Sequence, residues 1–170
     1  IILEPVDEWI ALEDVDGVNI LEKFYDDQEK WSFSFQMNSF ISRVKKIQDA
    51  DETKILFVER SVYTDKHCFA ENCYESGMMN KIEYDIYNRW HEWLITEFHV
   101  QPDAYIYLRT SPEKSHERTQ KRSRDGEKKI PLEYLTILHH KHEKWLEQEK
   151  LKVPVLSIDV TENGKPMIFL

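Results

Sequence analysis

Four short apolar runs punctuate the chain, at residues 1–3 (IIL), 55–59 (ILFVE), 104–108 (AYIYL) and 154–160 (PVLSIDV). Each has the length of a strand, and the continuous run 55–58 predicts one buried on both faces. Longer segments of helical period lie between them. Ile82, Ile86, Trp90, Trp93 and Leu94 recur at spacings of three and four, which predicts an amphipathic helix over 81–100. Leu135, Leu138, His142, Trp145 and Leu146 predict another over 131–151, with Pro131 suited to its first turn. A third segment, 35–47, carries Gln36, Ser39 and Arg43 as a polar stripe beside an apolar arc of Met37, Phe40, Ile41, Val44 and Ile47. Strands alternating with helices predict an α/β domain with a parallel sheet flanked by helices. With no repeat, low-complexity tract or evident linker, residues 1–170 read as a single domain.

Parallel sheets place ligands beyond the carboxyl ends of their strands. By that rule Glu4, Glu59, Arg60, Arg109 and Asp159, each at or just past the end of an apolar run, should share one edge. One strand ending in a charge is ordinary. Four doing so predict a polar cleft. Two carboxylates there could divide the labour, one binding a divalent metal and one accepting a proton.

Composition narrows the ligand. The net charge of -9 argues against nucleic-acid polymers and anionic membranes as partners. No apolar run reaches membrane-spanning length. An anionic ligand therefore needs a local basic cluster, and 118–127 (RTQKRSRDGE) supplies Arg118, Arg122 and Arg124 within seven residues. Taken alone, this segment reads rather as a solvated helix face balanced by Glu113, Glu117 and Asp125. Likewise the stripe Gln36, Ser39, Arg43 could read the edge of a planar heterocycle or line an ordinary surface helix. HHKHE at 139–143 offers helical His spacing but no further ligand cluster. Cys68 and Cys73 do not form a Cys-x-x-Cys pair and read as reduced thiols of a cytoplasmic-type environment, a mitochondrial address remaining open. None of the four glycines begins a G-x-x-x-x-G-K-[ST] loop.

EPVDEW (4–9), FVERSVYTD (57–65), YIYLRTSPE (105–113), the Arg-x3-Arg-x-Arg-x2-Glu of 118–127 and IPLEYLTILHHKHEKWL (130–146) occur in an order that resembles the deoxynucleoside kinases. The likeness is to the branch containing deoxycytidine and deoxyguanosine kinases. It implies a P-loop NTPase-like kinase fold, incomplete at its N-terminus: the family's P-loop segment should precede Ile1, and its last helix is absent or replaced by KPMIFL. The implied activity is ATP-dependent phosphorylation of the 5′-hydroxyl of deoxycytidine or purine deoxynucleosides in nucleotide salvage, with Mg²⁺ and ATP or another nucleoside triphosphate.

By position, the resemblance makes Glu4 and Glu59 the catalytic carboxylates, with Glu59 the metal candidate and Arg60 beside the 5′-oxygen. Tyr25 and Glu127 would hold the sugar 3′-hydroxyl. Gln36 would pair with the base, Arg43 and Asp65 would line its pocket, and Phe35 and Phe69 would sandwich the ring. Arg118, Arg122 and Arg124 would belong to a lid spanning about 118–129. It further implies a homodimer through a helix bundle. The alternatives are a nucleoside monophosphate kinase, which would leave Tyr25, Gln36 and Glu127 unexplained, and a non-catalytic accessory subunit such as the one in respiratory complex I. An Arg and Asp at positions 43 and 65 imply poor acceptance of thymidine, and Ser39 beside Phe40 leans towards purines.

Overall fold

The computed structural model describes residues 1–51, 53–122, 130–148 and 150–162 and the backbone of 167–169. The chain divides into two compact units, Ile1–Gln101 and Pro102–Leu170.

The first unit is built around a 21-residue helix. It contains α1 (Val6–Ile10), α2 (Ile20–Asp26), α3 (Gln28–Gln48), α4 (Val62–Thr64), α5 (Glu71–Glu75) and α6 (Lys81–Glu97). A wide π turn, Asp65–Ala70, joins α4 to α5 without a break. Helix α3 starts where the Asp27 carboxylate accepts the Lys30 N–H, which satisfies one of the orphan donors of a first turn. Apolar side chains flank it in two clusters. Trp9, Phe24, Phe35, Cys73 and Met79 pack around its first half. Phe40, Val44, Val62, Tyr87 and Leu94 pack around its second. The polar stripe is not on the surface: Gln36, Ser39 and Arg43 are 2%, 3% and 1% exposed, whereas Ile41 of the apolar arc is 48% exposed.

The expected N-terminal strands are not formed. Residues 1–3 and 55–59 form no extended strands but one parallel bridge, Ile2 to Val58, closed by Ile2 N–H to Phe57 O (2.7 Å) and Glu59 N–H to Ile2 O (2.8 Å). Leu56 and Val58 turn half inward while Ile55 and Phe57 are exposed. A run paired at one residue has only one covered face, so its side chains alternate. In α6 the buried face is Tyr87, His91 and Leu94, and Ile82, Ile86, Trp90 and Trp93 point outward. Helical period was read correctly there, but the aromatic side chains that mark it are on the open face.

The second unit holds β1 (Tyr105–Arg109), α7 (Pro112–Arg122), α8 (Leu132–Glu143), β2 (Val155–Asp159) and β3 (Met167–Phe169). A second wide turn, Lys144–Gln148, extends α8. Strands β1 and β2 are parallel, with Tyr105 opposite Val155 and Arg109 opposite Asp159. Helices α7 and α8 supply the crossover that parallel strands require. Strand β3, within the KPMIFL segment expected to stand in place of a helix, runs antiparallel to β2. Among the described residues β1, β2 and β3 make a three-stranded sheet in the second unit, and the first unit contains the isolated Ile2–Val58 bridge.

Helix α6 opens with a reciprocal cap, Asn80 Oδ1 accepting the Glu83 N–H and Glu83 Oε2 accepting the Asn80 N–H. Asn80→Ala removes half of it. It should lower stability by about 1 kcal/mol with an unchanged denaturant slope, as read from a urea titration.

Candidate active site

The chain emerging from the Ile2–Val58 bridge turns sharply on both sides. On one, Pro5 leads into α1 and leaves Glu4 at the bend. On the other, Arg60 adopts a left-handed conformation, φ 59°, uncommon for a residue with a β-carbon. Ser61 then caps α4 through the Thr64 N–H and is bonded in return by Thr64. The two bends meet: the Glu4 N–H donates to Glu59 Oε2 at 3.2 Å.

Arg43 ties this junction to α3. Its Nε donates to Asp65 Oδ2 (2.8 Å) and its Nη2 to Asp65 Oδ1 (3.2 Å), a two-point grip. The same Nη2 reaches Glu4 Oε1 (3.0 Å), and Nη1 reaches the Glu59 carbonyl (2.7 Å). Arg60 Nη1 also donates to Glu4 Oε1, at 2.8 Å, and its guanidinium lies over the Phe69 ring, 4.8 Å from the centroid. Burial works against ionisation of Glu4, but Arg60 and Arg43 outweigh it and hold the carboxyl below its ordinary range. Burial also disfavours the Arg43 cation, and Asp65 and Glu4 more than compensate. Asp65, fully enclosed, is pushed upward by burial against the pull of Arg43. Glu59 is different. It is exposed, and among the described residues no cation pairs with it.

Beyond Arg43 the stripe of α3 continues inward. Gln36 Nε2 points at Cys73 Sγ, 3.9 Å away, and Ser32 is fully buried one turn earlier. Burial pushes the Cys73 thiol up to about 11, so it stays a neutral, weak acceptor. Phe35 is stacked on Phe24 (centroids 4.6 Å, 19°) with Trp9 at its edge (5.3 Å). Tyr25 lies within electrostatic reach of Arg60. The structure thus gathers Glu4, Arg43, Glu59, Arg60, Asp65 and Phe69 in direct contact, with Gln36 and Phe35 further along α3. Sequence reasoning passed over Ser32, Cys73 and His91. Ser32 could have been found, since it extends the stripe by four residues. Cys73 carried no signal, and His91 was masked by the tryptophans beside it.

In the second unit, Arg118 and Arg122 lie on α7, where Arg118 donates to the Val160 carbonyl at 2.6 Å. Arg124 and Glu127 lie outside the described residues. Arg109 and Asp159 lie opposite each other at the ends of β1 and β2, as strand-end placement predicts. Arg109 grips Glu143 at two points (2.9 and 2.6 Å), with the Tyr107 hydroxyl donating to the same carboxylate (2.9 Å). Asp159 accepts the Thr161 N–H. Their strand-end charges are consumed locally. No helix among the described residues is long and apolar enough to cross a membrane.

The Arg43–Asp65 pair is the buried contact of the cluster, so its members should not act independently. Arg43→Met alone leaves Asp65 enclosed without a counter-ion, at a cost of about 3–5 kcal/mol. Combining it with Asp65→Ala should recover about 1–3 kcal/mol of the summed losses. Urea titrations of the four members of the cycle measure this, and strictly additive losses would show the pair to be uncoupled.

The family model described as deoxynucleoside kinase matches residues 1–166. Deoxycytidine kinase of Mus musculus is 40% identical, over 97% of this chain and 75% of that protein. Deoxycytidine kinase of Homo sapiens is 38% identical over the same shares. The mitochondrial thymidine kinase 2 of Homo sapiens is 34% identical, over 100% of this chain and 64% of its own length.

Proposed function

The chain belongs to the deoxynucleoside kinase family, and from that premise we propose how its residues divide the work of phosphoryl transfer to a deoxynucleoside. The reaction is a kinase's: a nucleotide donor gives a phosphoryl group to a nucleoside hydroxyl in deoxynucleoside salvage. A non-catalytic subunit is not favoured, because similar proteins carry kinase names. A monophosphate kinase leaves the buried Gln36 without a purpose.

The observation that carries the reading is the Glu4 carboxylate, held at one oxygen by Arg43 and Arg60 while its own N–H fixes Glu59. Glu4 is thereby a stationary, ionised acceptor beside a guanidinium, suited to drawing the proton from the 5′-hydroxyl as Arg60 meets the charge that develops. Glu59 is an exposed carboxylate with no cation partner among the described residues. That suits Mg²⁺, which binds through one or two carboxylates together with substrate phosphates. When bound, the ion would neutralise charge on the transferring phosphoryl group of ATP or another triphosphate. Positioning and charge compensation supply most of the catalysis in this class of reaction.

Gln36 would read the base, with Phe35 and Phe69 as apolar walls, and Tyr25 with Glu127 would take the 3′-hydroxyl. Arg118, Arg122 and Arg124 would close over donor phosphates. Arg43 enters the base pocket as a fixed block, since all three of its nitrogens are already committed to Glu4, Asp65 and the Glu59 carbonyl. A block held this firmly excludes a thymine methyl, so deoxycytidine and purine deoxynucleosides are the proposed acceptors. We further propose a cytoplasmic homodimer through the exposed Ile82, Ile86, Trp90 and Trp93 face of α6.

A phosphorylation assay of the complete protein against the four deoxynucleosides tests the reading. Deoxycytidine or deoxyguanosine should be used well and thymidine poorly; equal use of thymidine would refute the pocket assignment. Glu4→Gln and Glu59→Gln should each reduce turnover by roughly 10²–10⁴-fold without loss of fold. Near-normal turnover in both would remove the carboxylates from the mechanism.

For the assembly, light scattering at micromolar concentration should give twice the chain mass. Trp90→Glu should halve it. A monomeric wild-type protein would rule out the dimer.

A further inference from the structure

His91 is the one buried imidazole on the core face of α6, 1% exposed, and no role falls to it in the reading above. Its Nε2 is 3.2 Å from the carbonyl oxygen of Val62. A carbonyl only accepts, so Nε2 carries the proton and His91 donates. The ring is stacked on Phe40 of α3 (5.2 Å, 22°) and on Tyr87 (6.2 Å, 30°), with Tyr63 at its edge (5.7 Å, 81°). Nδ1 is buried without a hydrogen bond among the described residues. Burial, reinforced by Lys66 and His67, lowers the imidazole to about 4, so the neutral donor form persists at working pH.

Val62 opens α4, three residues ahead of the start of the wide turn Asp65–Ala70, and its carbonyl also accepts the backbone N–H of Asp65, the first residue of that turn. Wide turns are rare and hold one more residue than the α turns on either side. This one carries two members of the charge cluster. Asp65, its first residue, grips Arg43. Phe69, four residues on, lies beneath the Arg60 guanidinium. In an α register each residue advances by about 100°, so losing the extra residue would rotate Phe69 relative to Asp65 by about that angle. Both contacts cannot then be kept. The wide register is what allows one short segment to serve both arginines, and irregularities of helical hydrogen bonding occur where a side chain enters the ladder, as His91 does at the Val62 carbonyl of α4, the turn that leads into this segment.

We propose that His91 is a positioning residue: its hydrogen bond to the Val62 carbonyl holds residues 65–70 in the wide register that sets Asp65 on Arg43 and Phe69 under Arg60. The bond, and not the ring's bulk, is the operative part. The inference rests on the cluster being the active site of the kinase.

The test compares His91→Phe with His91→Gln in the complete protein. Phenylalanine keeps the aromatic packing and deletes the donor; glutamine keeps an N–H at similar reach. Steady-state kinetics with deoxycytidine and deoxyguanosine give the first readout, and amide hydrogen exchange across residues 62–75 gives the second. His91→Phe should lower kcat by about 10- to 100-fold, as small misplacements of reacting groups do. It should also speed exchange at 65–70 selectively, with α3 protected as before. His91→Gln should restore both to within a few-fold.

A folded His91→Phe with wild-type kcat and exchange overturns the inference. So does a folded His91→Gln that is impaired as severely as His91→Phe. Should the phenylalanine variant not fold, the glutamine variant decides alone: wild-type kcat and protection support the inference, and loss of either defeats it. A wild-type protein that phosphorylates no deoxynucleoside sinks the functional reading instead, and selective exchange in His91→Phe would then still uphold the hold on the turn.

Discussion

A guanidinium with almost no access to water sets the terms for the first unit. Arg43 cannot be enclosed as a bare charge, because removing such an ion from water costs several kcal/mol before any partner is found. Its partners are Asp65, Glu4 and the Glu59 carbonyl, drawn from three separate stretches of chain. Satisfying one buried cation therefore fixes α3, the bend at Glu4, the turn after Val58 and the start of the wide turn in a common geometry. The left-handed Arg60 belongs to the same solution. It lets a second guanidinium return to Glu4 while the chain departs into the Ser61 cap.

Arg43 also explains why α3 is built as it is. A helix buried along a polar stripe needs apolar packing on both flanks, and the two clusters on either side of Gln36, Ser39 and Arg43 provide it. Buried polar groups of this kind are costly when unpaired and directional when paired. They specify which rotation of α3 is correct, a choice that apolar bulk alone would leave loose. The second unit uses the same device on a smaller scale, with the Glu143 carboxylate on α8 joining Arg109 and Tyr107 of β1.

The sequence carried the identity of the cluster better than its surroundings. Glu4, Glu59 and Arg60 were legible because charges directly after apolar runs are conspicuous, and Arg43 because it completed a helical stripe. Burial direction was not legible. Periodicity reports that a helix has two faces and leaves open which one is inside, so the stripe of α3 and the tryptophans of α6 could be read either way. Ile55 and Phe57 misled because an apolar run gives no count of its neighbours. Strand β3 was missed because three residues carry too little pattern. Arg109 and Asp159 were legible as strand-end neighbours, but their partners Glu143 and the Thr161 N–H were not, because those contacts come from other elements of the fold.

Two glutamates within one hydrogen bond of each other show how far environment can separate identical side chains. Glu4 is one-tenth exposed and receives two guanidiniums on a single oxygen. It is immobile and remains charged against the pull of burial. Glu59 is exposed and, among the described residues, accepts only a backbone N–H. A carboxylate already neutralised by fixed cations attracts no further metal strongly, because its field is largely cancelled, yet its free oxygen keeps a defined direction. A carboxylate without a counter-ion retains its field and its freedom to adjust, which a hard, octahedral ion needs. The proposed assignment of metal to Glu59 and proton acceptance to Glu4 rests on how the cations are distributed among the described residues, a distribution built around the buried Arg43.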